Sequence, residues 1–355
     1  GSSTLNSTLV LATADSYTMN QLQLTGIIIV TNSGAGASTL TFTNGGVQTG
    51  TATKQITVNS NTTLVVGGAN FDIIGVTANK NRNVSLTPDA GGAITFNAVL
   101  RDNGAFQGGV EKHGHGVVTL NAVNTYTGGT TNTGGGTLLV NGSIGGVSVL
   151  SDATLGGTGA ITAPIIITTN GTLAAGLPTA IGTLTASGGL NLAGNILIKV
   201  NKSASPSNDL TVVTGTLTNS GTGKITVTTN LPGATALALG DNFKIFSQAV
   251  SNGSVMTISG ALPSGLGWQN NLEVDGSISV VSASVTPPKL EVSQSGNLLT
   301  FTWSGTYKLQ SQTNSLNVGL VTNSASWFDY PGGNVTGVTA TIDPVNPAVF
   351  FRLTQ

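Results

Sequence analysis

The sequence predicts an all-β chain, a right-handed parallel β-solenoid followed by a small antiparallel β-sandwich. Three observations carry that reading. Polar and apolar residues alternate with period two along most of the chain, a Thr-Leu pair recurs at nearly constant spacing, and the aromatic residues crowd into the last fifth.

The alternation is plain in Thr39-Leu40-Thr41-Phe42-Thr43, Gln55-Ile56-Thr57-Val58-Asn59 and Lys224-Ile225-Thr226-Val227-Thr228. Such segments send successive side chains to opposite faces of a strand, and they end at Gly-Gly, Asn-Gly or Ser-Gly turn signals. Helical periodicity is nearly missing. Ala234 to Leu239 could form a short helical turn, but its context reads as loop.

The repeat gives the architecture. Thr119-Leu120, Thr137-Leu138, Thr154-Leu155 and Thr172-Leu173 are separated by 18, 17 and 18 residues. One such unit cannot cover its own apolar face, so units stack and share a continuous core. At about 18 residues per rung, residues 1–280 would make about 15 rungs and a rod on the order of 70 Å long. The expected organisation is a rod over 1–284, with irregular N-terminal rungs (1–110), regular repeats (111–198) and looped C-terminal rungs (199–284). A Val-Thr-Pro-Pro linker at 285–288 cannot donate fully to a sheet. Beyond it, 289–355 reads as a fibronectin-III-like β-sandwich with an aromatic core that includes Trp303, Trp327 and Phe350.

Composition narrows the function. Only 7% of residues are charged, the formal net charge is −1, and 50 residues are glycine. No basic patch can form, so nucleic acid is a poor partner. No run approaches the roughly 18 apolar residues of a membrane span, and membrane insertion is not expected. Cysteine is absent, which removes disulfides, thiolate nucleophiles and cysteine metal sites. The chain begins at Gly1 without methionine, and a processed N-terminus is expected.

Few residues could carry chemistry. Between Lys112 and Lys199 the one charged residue is Asp152, so no acid/base pair of carboxylates can form on neighbouring rungs there, and an enzyme is not expected. Asp209, Asp241 and Asp275 read as turn residues. Glu111, His113 and His115 alternate, and on one strand they would share a face and offer a metal three ligands. The competing reading is a solvated strand face, and no cofactor is assigned. Trp327 and Tyr330, if exposed, would form a sugar-stacking platform.

Residues 116–142, GVVTLNAVNTYTGGTTNTGGGTLLVNG, resemble the autotransporter-associated β-strand repeat, and ATLGGTGAITAPIIITTNGTLAAG (153–176) and IGTLTASGGLNLAG (181–194) look like the rungs that follow it. The segment WSGTYKLQSQTN (303–314), with Trp327 and the closing FFRL (350–353), is similar to a sandwich appended to secreted proteins of Verrucomicrobia-like bacteria. The chain departs from the repeat at Glu111-Lys112-His113-Gly114-His115, where the family has an uncharged stretch, and no outer-membrane barrel is expected after the sandwich. The resemblance implies a secreted β-helical protein at the bacterial surface and supplies no catalytic residues. The expectation is a self-assembling, head-to-tail subunit of an extracellular fibre, filament or matrix. The alternative is a monomeric adhesin or glycan-binding stalk that holds a cell-surface glycan.

Overall fold

In the computed structural model of this 355-residue chain, the alternating segments stack as parallel strands. The structure describes residues 2–5, 8–12, 15–50, 52–74, 80–149, 152–283, 288–346 and 348–354. Of the expected proline linker, only Pro288 lies inside the described residues. Two compact units form, Gly1–Ala283 and Ser284–Gln355.

The first unit is a solenoid. Its longest sheet has 11 strands, from Ser16–Met19 to Thr257–Ser259, and a second sheet has 10, from Thr8–Leu11 to Leu217–Asn219. The third wall is a 5-stranded sheet ending at Val99–Asp102, then a 4-stranded one beginning at Ser143–Ile144. Each coil of the early part therefore visits three walls in turn. Parallel strands buried on their inner side need apolar residues at every second position, which the alternation supplies.

Register shows the result. Tyr17, Leu40, Leu64, Ile94, Val118, Leu138, Leu155, Leu173, Ile196, Ile225 and Ile258 stack in one inward column of the long sheet. They belong to a single core that runs from Leu11 to Val280. Each fully buried aliphatic chain contributes about 1.5–3 kcal/mol. Phe42, Phe71 and Phe96 are fully buried in the N-terminal half, with Phe71 and Phe96 edge to face at 5.4 Å.

The rung period differs from the sequence expectation. Val117, not Thr119, stacks on Thr137, a spacing of 20, and only the later steps to Thr154 and Thr172 are 17 and 18 residues. Elsewhere the rungs are longer, with Thr63 stacked on Ala93 and Lys224 on Thr257. The long sheet has 11 strands rather than about 15 rungs, and at about 4.8 Å per step it spans roughly 50 Å. The Thr-Leu pairs gave too short a period because the extra residues of the other rungs are looped out at the corners. Where rungs are short the corners are tight. Gly157, at φ +114°, runs so close to the Val140 carbonyl that any Cβ would collide with it.

Polar side chains also stack. Asn121 donates to Asn97 Oδ1 at 2.8 Å, Asn141 donates to Asn121 Oδ1 at 2.9 Å, and the Thr158 N–H donates to Asn141 Oδ1 at 3.3 Å. Such amide ladders reinforce the stacking of strands. Asn121→Ala removes two side-chain bonds and is expected to cost about 1–2 kcal/mol. Chemical denaturation would show a lower midpoint with an unchanged slope, and an unchanged midpoint would mean the ladder contributes nothing.

The solenoid passes into a small antiparallel sheet at its C-terminal end. Asn242–Lys244, Ser277–Ser282 and Leu266–Asn271 form an antiparallel sheet whose Leu272, Ile278 and Val280 neighbours join the same core. The carbonyl of Gly276 accepts from the N–H groups of Ile245 and Phe246, and that of Leu272 from Val250, so backbone groups of the last coil are paired.

The second unit is two small antiparallel sheets. Glu291–Ser295, Leu298–Thr302 and Val338–Thr341 form one; Phe328–Asp329, Lys308–Thr313 and Val349–Thr354 form the other. They face each other through Phe301 and Phe351, whose rings are 4.4 Å apart, over a core of Phe301, Trp303, Leu309 and Ala340.

Candidate functional site

Glu111 and the two histidines do not share a strand face. Their strand, Gly108–Lys112, ends before His113, and Gly114 turns the chain at φ +71°. Glu111 Oε1 accepts from Asn83 Nδ2 at 2.6 Å, and its Oε2 lies 3.5 Å from His113 Nε2. His115 instead lies against Gly135, where a Cβ would come 2.6 Å from its Nδ1. Alternation along a strand fails here because a left-handed glycine stands between the two imidazoles. Among the described residues no group of three His, Cys, Asp or Glu is arranged to hold a metal ion.

The aspartates separate into two kinds. Asp241 accepts from the Ala238 N–H and pairs with Lys202 at 3.0 Å, and Asp275 accepts from the Ser277 N–H; both hold turns. Asp209 does something else. It is fully buried, 2.7 Å from Lys199 Nζ, and it also accepts from the backbone N–H groups of Lys199 and Gly182. Burial pushes its carboxyl above the ordinary value, and the Lys199 contacts oppose that rise. Lys199 Nζ further donates to the Ala175 carbonyl at 3.1 Å. The pair ties the segment around Gly182 to the strand Asn195–Lys199.

Next to this ion pair lies a trough of about 590 Å³ on the outer face of the long sheet. Its floor is the outward column Leu139, Gly156, Ala174 and Leu197. Two small residues between two leucines make the depression, and Leu177, Pro178, Leu231 and Pro232 flank it. Lys199 is the one charged residue in its lining, and its ammonium is already engaged.

Inside the solenoid, Lys112 has no exposed surface, and its ammonium donates to the Gly114 carbonyl at 2.6 Å. It takes part in none of the ion pairs of the described residues. Its stacking partner Asn132 is also buried, with Oδ1 unpartnered. Burial pushes the Lys112 amine down to about 8.

In the C-terminal unit, Trp327 is only 8% exposed. Its indole N–H donates to the Val321 carbonyl at 2.9 Å, and the Arg352 guanidinium lies 4.4 Å from the ring centre. Tyr330 packs edge to face on Phe351 at 5.8 Å. The Trp327 ring is therefore not free as a platform for a sugar, while Tyr330 stays half-buried.

No protein-family model matches the chain, and no curated protein matches it either. The likeness of residues 116–142 to a known repeat stands on those residues alone.

Proposed function

We propose that this chain is a secreted structural protein without catalysis, a rod-like subunit that associates with copies of itself in an extracellular bacterial fibre, filament or matrix. One observation carries the reading. From Ser16 to Ala174, the two outward columns of the long sheet hold Ser, Thr, Val, Ala, Gly and Leu and no charged residue. A face of this kind offers no like-charge repulsion to a second copy, and its methyl groups gain by leaving water.

The test is association of the purified chain, followed by sedimentation velocity and negative-stain microscopy. Filaments or larger species are expected as concentration rises, undiminished by added sodium chloride and promoted by sulfate. A uniform monomer at high concentration sinks the reading. Association that disappears in moderate salt would mean that charge, not the uncharged face, drives it. No comparable observation favours the glycan-binding stalk.

A further inference from the structure

We propose that the folded chain modifies itself at one position, Asn103, whose side-chain amide is lost to attack by the backbone nitrogen of Gly104. The inference stands apart from self-assembly and concerns a single covalent site.

The sequence holds five Asn-Gly pairs, beginning at Asn44, Asn103, Asn141, Asn170 and Asn252. Asparagine before glycine is prone to lose ammonia, because no Cβ keeps the next peptide nitrogen away from the side-chain carbon. Folding decides which pairs react, since that nitrogen must be free of its hydrogen bond and able to swing onto Cγ. Four of the nitrogens are held. The N–H of Gly45 donates to the Gly67 carbonyl at 2.7 Å, that of Gly142 to Leu120 at 3.1 Å, that of Gly171 to Thr168 at 2.9 Å and that of Gly253 to Val250 at 3.0 Å. Gly45, Gly171 and Gly253 are also buried, and the Asn141 amide is fixed in the asparagine ladder.

The pair at Asn103 differs on both counts. Gly104 is exposed, and its N–H donates to none of the described residues. It lies in the bend between the strands Val99–Asp102 and Gly108–Lys112, outside either sheet. Asn103 is half-buried, and its side chain is held by one bond, from Nδ2 to Asp72 Oδ2 at 2.8 Å.

The reaction balances with water as its one co-reactant. The Gly104 nitrogen gives up its proton and bonds to Asn103 Cγ, and Nδ2 takes up a proton and leaves as ammonia, closing a cyclic imide. Water then opens the ring at either carbonyl and leaves aspartate or its β-linked isomer at position 103. A carboxylate now stands where an amide had donated to Asp72, so a hydrogen bond gives way to like charges.

The test ages the full chain in warm neutral buffer, folded and in urea, and maps its peptides by mass spectrometry. In the folded chain, conversion at Asn103 is expected to run at least about tenfold faster than at the other four, whose nitrogens are released only when the fold opens locally. In urea the five should convert at similar rates. Gly104→Ala, at an exposed position with no left-handed backbone, should slow conversion at Asn103 and leave the thermal melt unchanged. Folded-state conversion spread evenly over the five pairs, or led by another pair, overturns the proposal. So does an Asn103 that stays intact in the folded chain while it converts in urea, because the Asp72 bond would then hold it out of reach. Conversion at an undiminished rate in Gly104→Ala would assign the loss to direct hydrolysis by water and remove Gly104 from the step.

Discussion

Asp209→Ala is expected to lower the free energy of unfolding by about 3–5 kcal/mol, the effect of leaving a buried charge without its partner. Lys199 is 7% exposed at its side chain and Asp209 is fully buried, so water cannot take the place of the lost carboxylate. The variant also strips an acceptor from the backbone N–H groups of Lys199 and Gly182. Lys199→Met with Asp209→Leu removes both charges and should recover much of the loss, because desolvation of the pair offsets most of its attraction. Urea denaturation of the single and double variants measures the difference. Equal losses in both would show that packing around Asp209, and not the orphaned ammonium, sets the cost.

The second large effect belongs to Lys112. Unfolded, its amine has the ordinary value of 10.5; folded, it is about 8. Between these values the unfolded chain holds the extra proton, so stability must rise with pH. The gain is about 2 kcal/mol from pH 7 to 9.5. Further up the scale Tyr126 works the other way: burial raises its hydroxyl, the unfolded chain loses that proton first, and stability falls. Lys112→Met should stabilise the protein at pH 7 and flatten the rise. Denaturation midpoints at pH 7 and 9.5 decide it, and a wild-type chain no more stable at the higher pH would mean that water reaches the amine.

Period two was enough to read the fold class, because a strand with one wet and one dry side can satisfy both in only one register. That is why Leu138, Leu155 and Leu173 could be stacked from the sequence. Thr119-Leu120 could not: the rung from Val117 to Thr137 holds two to three more residues than the two rungs that follow, and corners leave no periodic trace. Lys112 was legible in principle, since it follows Val110 at the inward position, but its charge argued for the outside. Gly114 hid the separation of His113 from His115, because spacing says nothing about the sign of φ. Asp209 resembled any turn aspartate, and its partner lies ten positions away across a reversal that only folding closes. The asparagine ladder, at 97, 121 and 141, was invisible to a search for one constant interval. Trp327 gave no hint of its burial, nor of Arg352 arriving over its ring from the far end of the module.

Uneven coils give the solenoid a particular response to being pulled. Tension applied between its ends loads one coil at a time, and the coil that opens lengthens before its neighbour feels the full force. Successive coils of the long sheet hold 17 residues from Thr137 to Thr154 and 33 from Lys224 to Thr257, so each yields roughly 60 to 110 Å of slack. A material woven from such units would give way in graded steps, absorbing work at each, instead of snapping at a single load.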